Sequence, residues 1–282
     1  MYKTILLFSL FVLLVSCLPK IGTTIISKQN ALSENDYVLV IEESDFFNND
    51  GIKIGTIKST DKGFSSNCNY DDIIENFKKI CKQNGANILN IIEHQLPDQW
   101  SSCHRVEAIM CKVPDYKAHE KQIEWSKDRK LTWNDFKGKP INRTDFTAAG
   151  AESNCGFGFQ SNAVRVFGKV KMKVVNTFDC NSSWVLPENK KSNELLEHEQ
   201  LHFDLSQIYA RQLRKKLAYS KLNLFNFTTE SNKIFDDIFF LYKERQNLYD
   251  TETNHGINNA AQKKWKKNIE TELDELETYS VN

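Results

Sequence analysis

The sequence predicts an α+β protein with two folded regions. Strand-like patterns precede long helical patterns, without the alternation of strands and helices that builds a parallel sheet. The chain has 282 residues, a length that suits one large domain or two smaller ones. Hydrophobic residues make up 40% of the chain and charged residues 26%, which excludes a fibrous or wholly disordered protein.

Charge and hydropathy exclude two further classes of protein. The 37 Lys and Arg residues balance 37 Asp and Glu residues, and the pI is 7.0. Because no overall charge draws the chain to phosphates, we expect no nucleic-acid partner. The mean hydropathy of -0.52 excludes a membrane protein with several spanning segments.

The N-terminus has the pattern of an export signal. Lys3 precedes an apolar run from Ile5 to Val15, which is shorter than the ~20 residues that span a bilayer. The run ends in Leu-Val-Ser-Cys at 14–17, which resembles the bacterial lipobox. This resemblance implies a signal peptide over 1–16, lipidation of Cys17 and a lipid anchor in the bacterial cell envelope. A plain secretory signal and an uncleaved anchor are the alternatives.

Cysteine usage also indicates an exported protein. Six cysteines remain after Cys17, and an even number in an exported chain favours disulfides. We expect one bridge between Cys155 and Cys180 and two bridges among the four N-terminal cysteines, of which Cys68–Cys103 with Cys81–Cys111 is the favoured pairing. No CxxC pair is present, so the cysteines give no support to a zinc or thioredoxin-like redox site.

A polar tether over 17–35 and a small α+β domain over 36–113 are predicted next. Asp71 opens a segment with one apolar helical face, and Gly85 closes it. Strand patterns lie on either side of this helix, at 37–42, 52–57, 88–92 and 106–111. The first two strands are joined by an Asn-Asn-Asp-Gly turn, which predicts a hairpin and a ββαββ unit. Since no catalytic groups gather here, and His94 and His104 have no partner pattern, we expect a disulfide-bonded scaffold or interaction module.

Residues 114–130 are dense in charge and predict a solvated linker, followed by a second domain over 131–282. Period-two alternation around Gly168 predicts a hairpin formed by 164–167 and 170–178. Three helical patterns follow, near 193–218, 230–249 and 258–278. The third carries one apolar stripe, made of Ala261, Trp265, Ile269, Leu273 and Leu276.

The first of these helices carries the pattern H-E-x-x-H at His198, Glu199 and His202. Side chains four apart on a helix lie on one face with Cβ atoms ~5–6 Å apart, so both imidazoles can bind one Zn²⁺. Glu199 is rotated by roughly 100° from His198 and can take a proton from a metal-bound water. The alternative is two core histidines, each with its own hydrogen-bond partner.

A catalytic zinc normally takes three protein ligands and keeps a position for water. His255 is the favoured third ligand, because neutral imidazole suits zinc and Gly256 beside it permits a sharp turn after the second helix. Glu252 and Asp250 are chemically acceptable substitutes and stay open.

Three motifs in order resemble an uncharacterised bacterial family of secreted zinc-dependent proteases. They are Leu131–Pro140, Leu195–Asp204 and Tyr249–Gly256, the last followed by Gln262-x-x-Trp265. The resemblance covers about 120–282 and implies a zincin-like domain with His198 and His202 as ligands and Glu199 as catalytic acid and base.

The sequence therefore predicts a lipid-anchored zinc metallopeptidase that hydrolyses peptide bonds in peptide or protein substrates. Glu199 is the expected base, and Tyr249 or Tyr209 is the expected donor to the oxyanion. The alternative function is a noncatalytic envelope scaffold or binding protein with a structural metal, which a closed four-ligand site would favour. The sequence does not indicate an oligomeric state.

Overall fold

The structure is a computed structural model that describes residues 19–33, 36–45, 47–48, 51–60, 68–140, 150–164 and 169–281, without the side chains of 161–171. The predicted signal peptide and the lipidation of Cys17 lie outside these ranges. The chain divides into two compact units, Met1–His119 and Glu120–Asn282, which are called the N-terminal and C-terminal units below. Among the described helices, none is long and apolar enough to cross a bilayer.

The N-terminal unit is a five-stranded sheet with one helix. Its elements in chain order are β1 (Lys20–Ile25), β2 (Leu39–Ile41), β3 (Ile52–Thr60), α1 (Tyr70–Gln83), β4 (Ile88–Gln95) and β5 (Arg105–Lys112). The order across the sheet is β1-β3-β5-β4-β2. All neighbours are antiparallel except β2 and β4, which are parallel.

Helix α1 forms where the periodicity predicts it. Asn69 caps its first turn by accepting a hydrogen bond of 2.8 Å from the Asp72 amide. Gly85 ends it with φ 78°, and a Cβ there would lie 2.4 Å from the Asn30 carbonyl oxygen. The apolar face of the helix packs on one face of the sheet through Ile73, Ile74, Phe77 and Cys81.

Two expectations for the N-terminal unit are wrong. The segment predicted as a tether contains β1, which pairs with the edge of β3 from Lys20↔Thr60 to Ile25↔Gly55 and is solvent-exposed for most of its length. β2 and β3 do not form a hairpin, because β2 pairs with β4 and β3 lies between β1 and β5. Pairing with strands distant in sequence outweighed the local turn pattern. The unit is therefore βββαββ.

The C-terminal unit combines short strands with three long helices. Its strands are β6 (Gln122–Glu124), β7 (Ala151–Glu152), β8 (Cys155–Val164), β9 (Lys169–Asp179) and β10 (Trp184–Val185). The helices are α2 (Asn193–Tyr219), α3 (Phe227–Thr253) and α4 (Asn259–Glu275). β6, β9 and β8 form a three-stranded sheet with β9 in the centre, and β7 pairs with β10. Strands followed by helices give an α+β unit, as the sequence predicts.

The three predicted helices agree closely with the structure, and the predicted hairpin is displaced. β8 and β9 pair antiparallel from Cys155↔Phe178 to Val164↔Lys169, so the first strand begins about nine residues earlier than 164. α2 packs against this hairpin and against α3 and α4. The main core of the unit joins Leu205, Ile208 and Leu213 of α2 to Phe157 of β8 and Ile269 of α4.

The charged segment 114–130 is not a solvated linker throughout. The boundary between the units falls within it, after His119. β6 pairs with β9 and buries Ile123. Arg129 forms ion pairs with Glu120 at 3.0 Å and Asp135 at 2.7 Å, and both carboxylates are buried. Charges that read as solvated in the sequence are therefore paired inside the C-terminal unit.

One of the three predicted disulfides is confirmed. Cys68 and Cys103 are bonded, with their Cα atoms 5.0 Å apart. Cys81 and Cys111 are reduced, so that predicted bridge is wrong. Successive residues of a strand face opposite sides of the sheet. Met110 packs in the core under α1 with Cys81, whereas Cys111 belongs to the core on the other face.

The predicted bridge between Cys155 and Cys180 is also wrong, because both cysteines are free, although Cys155 packs against the core that contains Cys180. The Cys155 thiol interacts with Tyr242 and Ser206 on the helical side, whereas charged residues such as Lys137 surround the Cys180 thiol. Burial raises the pKa of each thiol to about 12, so both are protonated and unreactive at neutral pH.

Candidate metal centre

The first turns of α2 hold the two histidines of the H-E-x-x-H pattern. Ser192 caps the helix by accepting a hydrogen bond of 3.1 Å from the Leu195 amide. His198 and His202 then lie one turn apart, with ring planes at 83° and ring centroids 4.6 Å apart. Their Nε2 atoms approach to 3.1 Å. Helix geometry therefore brings the two nitrogens together as the sequence predicts.

Asp250, near the end of α3, completes a triangle of ligand atoms. Its Oδ1 lies 3.2 Å from His198 Nε2 and 2.9 Å from His202 Nε2. Ligands at about 2.0 Å from one tetrahedral ion lie about 3.3 Å apart, close to these three separations. Within the described part of the chain, these three residues are the group whose ligand atoms could hold a metal ion.

Two glutamines set the proton positions on the histidines. Gln246 Nε2 donates to the His202 carbonyl at 3.0 Å, which turns Gln246 Oε1 toward His202 Nδ1 at 2.5 Å. Gln262 Oε1 accepts from the Tyr249 hydroxyl at 2.9 Å and lies 3.4 Å from His198 Nδ1. In the tautomers in which each Nδ1 donates to its glutamine oxygen, each Nε2 presents a lone pair to the centre.

Three acceptors therefore face one another in a space that a cation fits. Asp250 Oδ1 is buried, and the polar atoms that face it are the two Nε2 atoms at 3.2 and 2.9 Å. Burial alone would raise the pKa of Asp250, but the two histidines outweigh it and hold that pKa well below its usual range. Burial opposes protonation of His202, but hydrogen bonding to Asp250 and the charge of Glu199 raise its pKa. Lone pairs that attract a proton in this way attract a divalent ion equally.

Glu199 lies beside this centre and is held by a neighbouring segment. Its side chain is buried and lines the same cleft as the two histidines. The Ser153 hydroxyl, between β7 and β8, donates a hydrogen bond of 2.5 Å to Glu199 Oε2. This contact fixes one carboxylate oxygen, whereas the other accepts no hydrogen bond from the described residues and can accept a proton.

The centre opens onto a cleft of about 830 Å³, a volume typical of sites for small molecules or short peptides. The walls come from the β7–β8 region, the start of α2 and the end of α3. Lining residues include Gly150, Ser153, Leu195, Lys243, Asn247, Asn254, His255 and Ile257. Ligand atoms at the bottom of an open cleft are accessible to a substrate.

His255, the favoured third ligand from sequence, is not in the group of ligand atoms. Its Nδ1 lies 3.7 Å from Asp250 Oδ1, and its side chain is 61% exposed. Glu252 faces away and accepts a hydrogen bond of 2.8 Å from Trp265 Nε1. Of the three acidic or imidazole candidates, Asp250 is the one that the structure brings to the histidines.

Tyr249 and Tyr209 do not lie where a donor to a substrate oxyanion is needed. Tyr249 is fully buried, stacks on the His198 ring with centroids 4.8 Å apart, and donates to Gln262. Burial raises its pKa. Tyr209 is buried in the main core beside Tyr242. Neither belongs to the cleft lining, and Tyr249 instead positions His198 and Gln262.

Sequence reasoning missed Gln246 and Ser153 as site residues and gave Gln262 no role. Gln246 precedes Asp250 by four residues, so helical spacing could have placed it on the same face of α3. Ser153 carries no such signal, because a long-range contact sets its position.

The opposite side of α2 is fixed by the segment that precedes the site. The Leu131 amide donates a hydrogen bond of 2.8 Å to Gln200 Oε1, and Gln200 Nε2 donates one of 2.8 Å to Asp204. Trp125 Nε1 donates a hydrogen bond of 2.7 Å to the same carboxylate. These buried contacts hold the helix that carries both histidines, which gives the Leu131 motif a structural role.

Comparison with known proteins gives one match. Residues 169–256 match the model of a family described as "Bacterial protein of unknown function (DUF922)". The matched segment runs from the start of β9 to Gly256 and includes both histidines, Glu199 and Asp250. Neither the curated proteins nor the solved structures give a significant match.

Proposed function

We propose that the C-terminal unit is a zinc-dependent metallopeptidase with a zincin-like site. The observation that carries this proposal is the convergence of His198, His202 and Asp250 within 2.9–3.2 Å beside the buried carboxylate of Glu199. Two imidazoles and one carboxylate are a donor set that suits Zn²⁺. A bound Zn²⁺ supplies a water of lowered pKa and polarises a carbonyl group.

The side chains of the site have separate tasks in peptide hydrolysis. Glu199 takes a proton from the attacking water while the water oxygen bonds to the carbonyl carbon, and the π electron pair moves to the carbonyl oxygen. When that pair returns, the bond from carbon to nitrogen breaks, and Glu199 gives its proton to the leaving amine. Gln246 and Gln262 orient the histidines, and Ser153 orients Glu199.

The competing function is a noncatalytic scaffold with a structural metal. Structural zinc sites usually have four protein ligands, whereas catalytic sites have three and an open position. The ligand group has three members and borders a cleft, which favours the enzyme. A buried glutamate next to the ligands also has no purpose in a purely structural site.

We further propose that the protein is anchored in the bacterial cell envelope through a lipid on Cys17 and acts there on peptides or proteins. The lipobox-like sequence supports the anchor. The Cys68–Cys103 disulfide is in keeping with an oxidising compartment. In this proposal the N-terminal unit is a scaffold or interaction module, because its described residues form no group of three metal ligands.

Glu199→Gln tests the proposal. The amide keeps the shape of the side chain but cannot accept the proton, so kcat for peptide hydrolysis is expected to fall by about 10²–10⁴-fold. Zinc content is expected to stay unchanged, because Glu199 is not a ligand. The measurements are cleavage of a mixture of fluorogenic peptides and metal content by mass spectrometry.

Glu197→Gln is the matched control. Glu197 lies two residues away on α2 but pairs with Lys266 rather than with the centre. This variant is expected to cleave within about 3-fold of the wild type, as surface ion pairs contribute little. A wild type that binds zinc without cleaving any peptide, or a fully active Glu199→Gln variant, would contradict the proposal.

A further inference from the structure

The turn after α3 has an unusual backbone. Asn254, His255 and Gly256 have φ values of 48°, 52° and 84°, three consecutive residues in the left-handed region. This region is sterically unfavourable for a residue that carries a Cβ, such as His255. Strained residues of this kind cluster at functional sites, where the surrounding structure holds them in place.

Several contacts hold the turn against the candidate metal centre. The His255 amide donates to the Asp250 carbonyl at 2.9 Å, and the Asn258 amide donates to the Thr253 carbonyl at 2.7 Å. A Cβ on Gly256 would lie 3.0 Å from the Cβ of His198, so the backbone of the turn packs directly on that histidine. The position of His255 is therefore coupled to the ligands.

The imidazole of His255 points to the cleft rather than to the core. Its side chain is 61% exposed and lines the cleft, and its Nδ1 is 3.7 Å from the ligand atom Asp250 Oδ1. It is adjacent to the centre but outside the group of ligand atoms. A side chain in this position can contact a molecule bound at the centre without binding the ion.

The proposed reaction needs a hydrogen-bond donor of this kind. Negative charge develops on the carbonyl oxygen as water attacks, and a preorganised donor stabilises it. Tyr249 and Tyr209 are buried away from the cleft and cannot supply it. His255 has an N–H group in either protonation state and reaches the cleft from α3, whereas Glu199 reaches it from α2.

We infer that His255 is a catalytic residue that contacts the substrate, donating a hydrogen bond to the scissile carbonyl oxygen as it becomes an oxyanion. The inference rests on the proposed peptidase function. It assigns His255 to the substrate rather than to the metal.

His255→Gly separates the two roles. Glycine tolerates the left-handed backbone, so the turn is kept, and it leaves no side-chain donor in place of the imidazole. Loss of one oxyanion donor typically lowers kcat by 10²–10³-fold, and we expect a decrease of about 10²-fold with KM changed by less than about 3-fold. Zinc content is expected to stay equal to that of the wild type. Thr251→Ala is the control, because Thr251 is exposed near the end of α3, does not line the cleft and leaves the imidazole in place, so kcat is expected to stay within about 3-fold of the wild type.

Inhibitor binding gives a readout independent of turnover. The probes are a phosphinic tripeptide, whose tetrahedral anion imitates the oxyanion, and a mercaptoacetyl dipeptide with the same side chains, which binds through its thiolate. Calorimetry on the zinc-loaded protein is expected to show about 10²-fold weaker phosphinic binding in His255→Gly. Binding of the thiol is expected to change by less than about 3-fold.

The outcomes distinguish the inference from the function that it rests on. Zinc loss in His255→Gly would make His255 a ligand and overturn the inference while the peptidase stands. Unchanged kcat and unchanged phosphinic affinity would do the same. A wild type that neither cleaves peptides nor binds the phosphinic peptide would overturn both.

Discussion

The two units each contain a pair of close histidines, and the pairs differ in kind. In the N-terminal unit, His94 Nε2 lies 2.8 Å from His104 Nδ1, with ring planes at 30° and centroids 5.1 Å apart. In the C-terminal unit, His198 and His202 approach to 3.1 Å, with planes at 83° and centroids 4.6 Å apart. The His94 and His104 rings are nearly parallel, and the short distance between their nitrogens is suited to one N–H···N hydrogen bond.

The groups that surround the two histidine pairs also differ. A third ligand atom, Asp250 Oδ1, closes the triangle at His198 and His202. His94 is instead stacked on Tyr70, with centroids 4.4 Å apart, and belongs to no group of three ligand atoms in the described chain. Two imidazoles within 3.1 Å are therefore not sufficient for a metal site. Whether such a pair can bind a metal ion depends on the orientation of the lone pairs and on the presence of a third ligand group.

The largest expected effect is on metal binding. His202→Ala removes one of three ligands, and zinc affinity is expected to fall by at least about 10²-fold, with Asp250→Asn acting in the same direction. His94→Ala is the matched control from the other pair and is expected to keep one zinc per chain. Competition with a chromophoric chelator measures both. If His94→Ala lost zinc and His202→Ala retained it, the metal site would belong to the N-terminal pair and the prediction would be wrong.

A smaller effect is expected from the group that orients His202. Gln246→Ala removes the acceptor at His202 Nδ1, so the ring loses its fixed tautomer, and zinc affinity is expected to fall by about 10–100-fold. Asn247→Ala, at a cleft-lining position one residue further on, controls for changes in α3. Equal zinc affinity in both variants would mean that the glutamine does not support the ligand.

The smallest expected effect concerns pH and the N-terminal pair. Burial lowers the pKa of His104, with a further contribution from His94 and an opposing one from Asp71. The unfolded chain therefore takes up a proton at a higher pH than the folded unit does. The contribution of His104 to the free energy of unfolding is fully present above its ordinary pKa of 6.5. This contribution is lost as pH falls from there through the folded-state pKa.

Hydrogen exchange of β4 and β5 at pH 7.5 and 5.5 measures this loss. The wild type is expected to lose protection at the lower pH, and His104→Asn is expected to reduce the dependence. An equal dependence in both proteins would show that other groups are responsible.

The sequence by itself determined the features that depend on local spacing. Four residues between His198 and His202 place both on one face of a helix, whatever surrounds it, because helix geometry is fixed. Apolar periodicity likewise predicted α1 to α4 within a few residues of their observed ends. The order of strand and helix patterns along the chain was sufficient to predict the α+β class.

Tertiary structure decided what depends on contacts between distant segments. Asp250 and His255 are five residues apart and chemically both suitable, but the fold brings Asp250 of α3 to the centre and places His255, in the left-handed turn that packs on His198, at the cleft. Ser153 reaches Glu199 through a contact 46 residues apart in the chain, which no local pattern encodes. Met110 rather than Cys111 shares the core of Cys81 because of strand register, a property of the whole sheet. Spacing along one element is set by backbone geometry, whereas the choice among candidate partners is set by which surfaces the fold buries against each other.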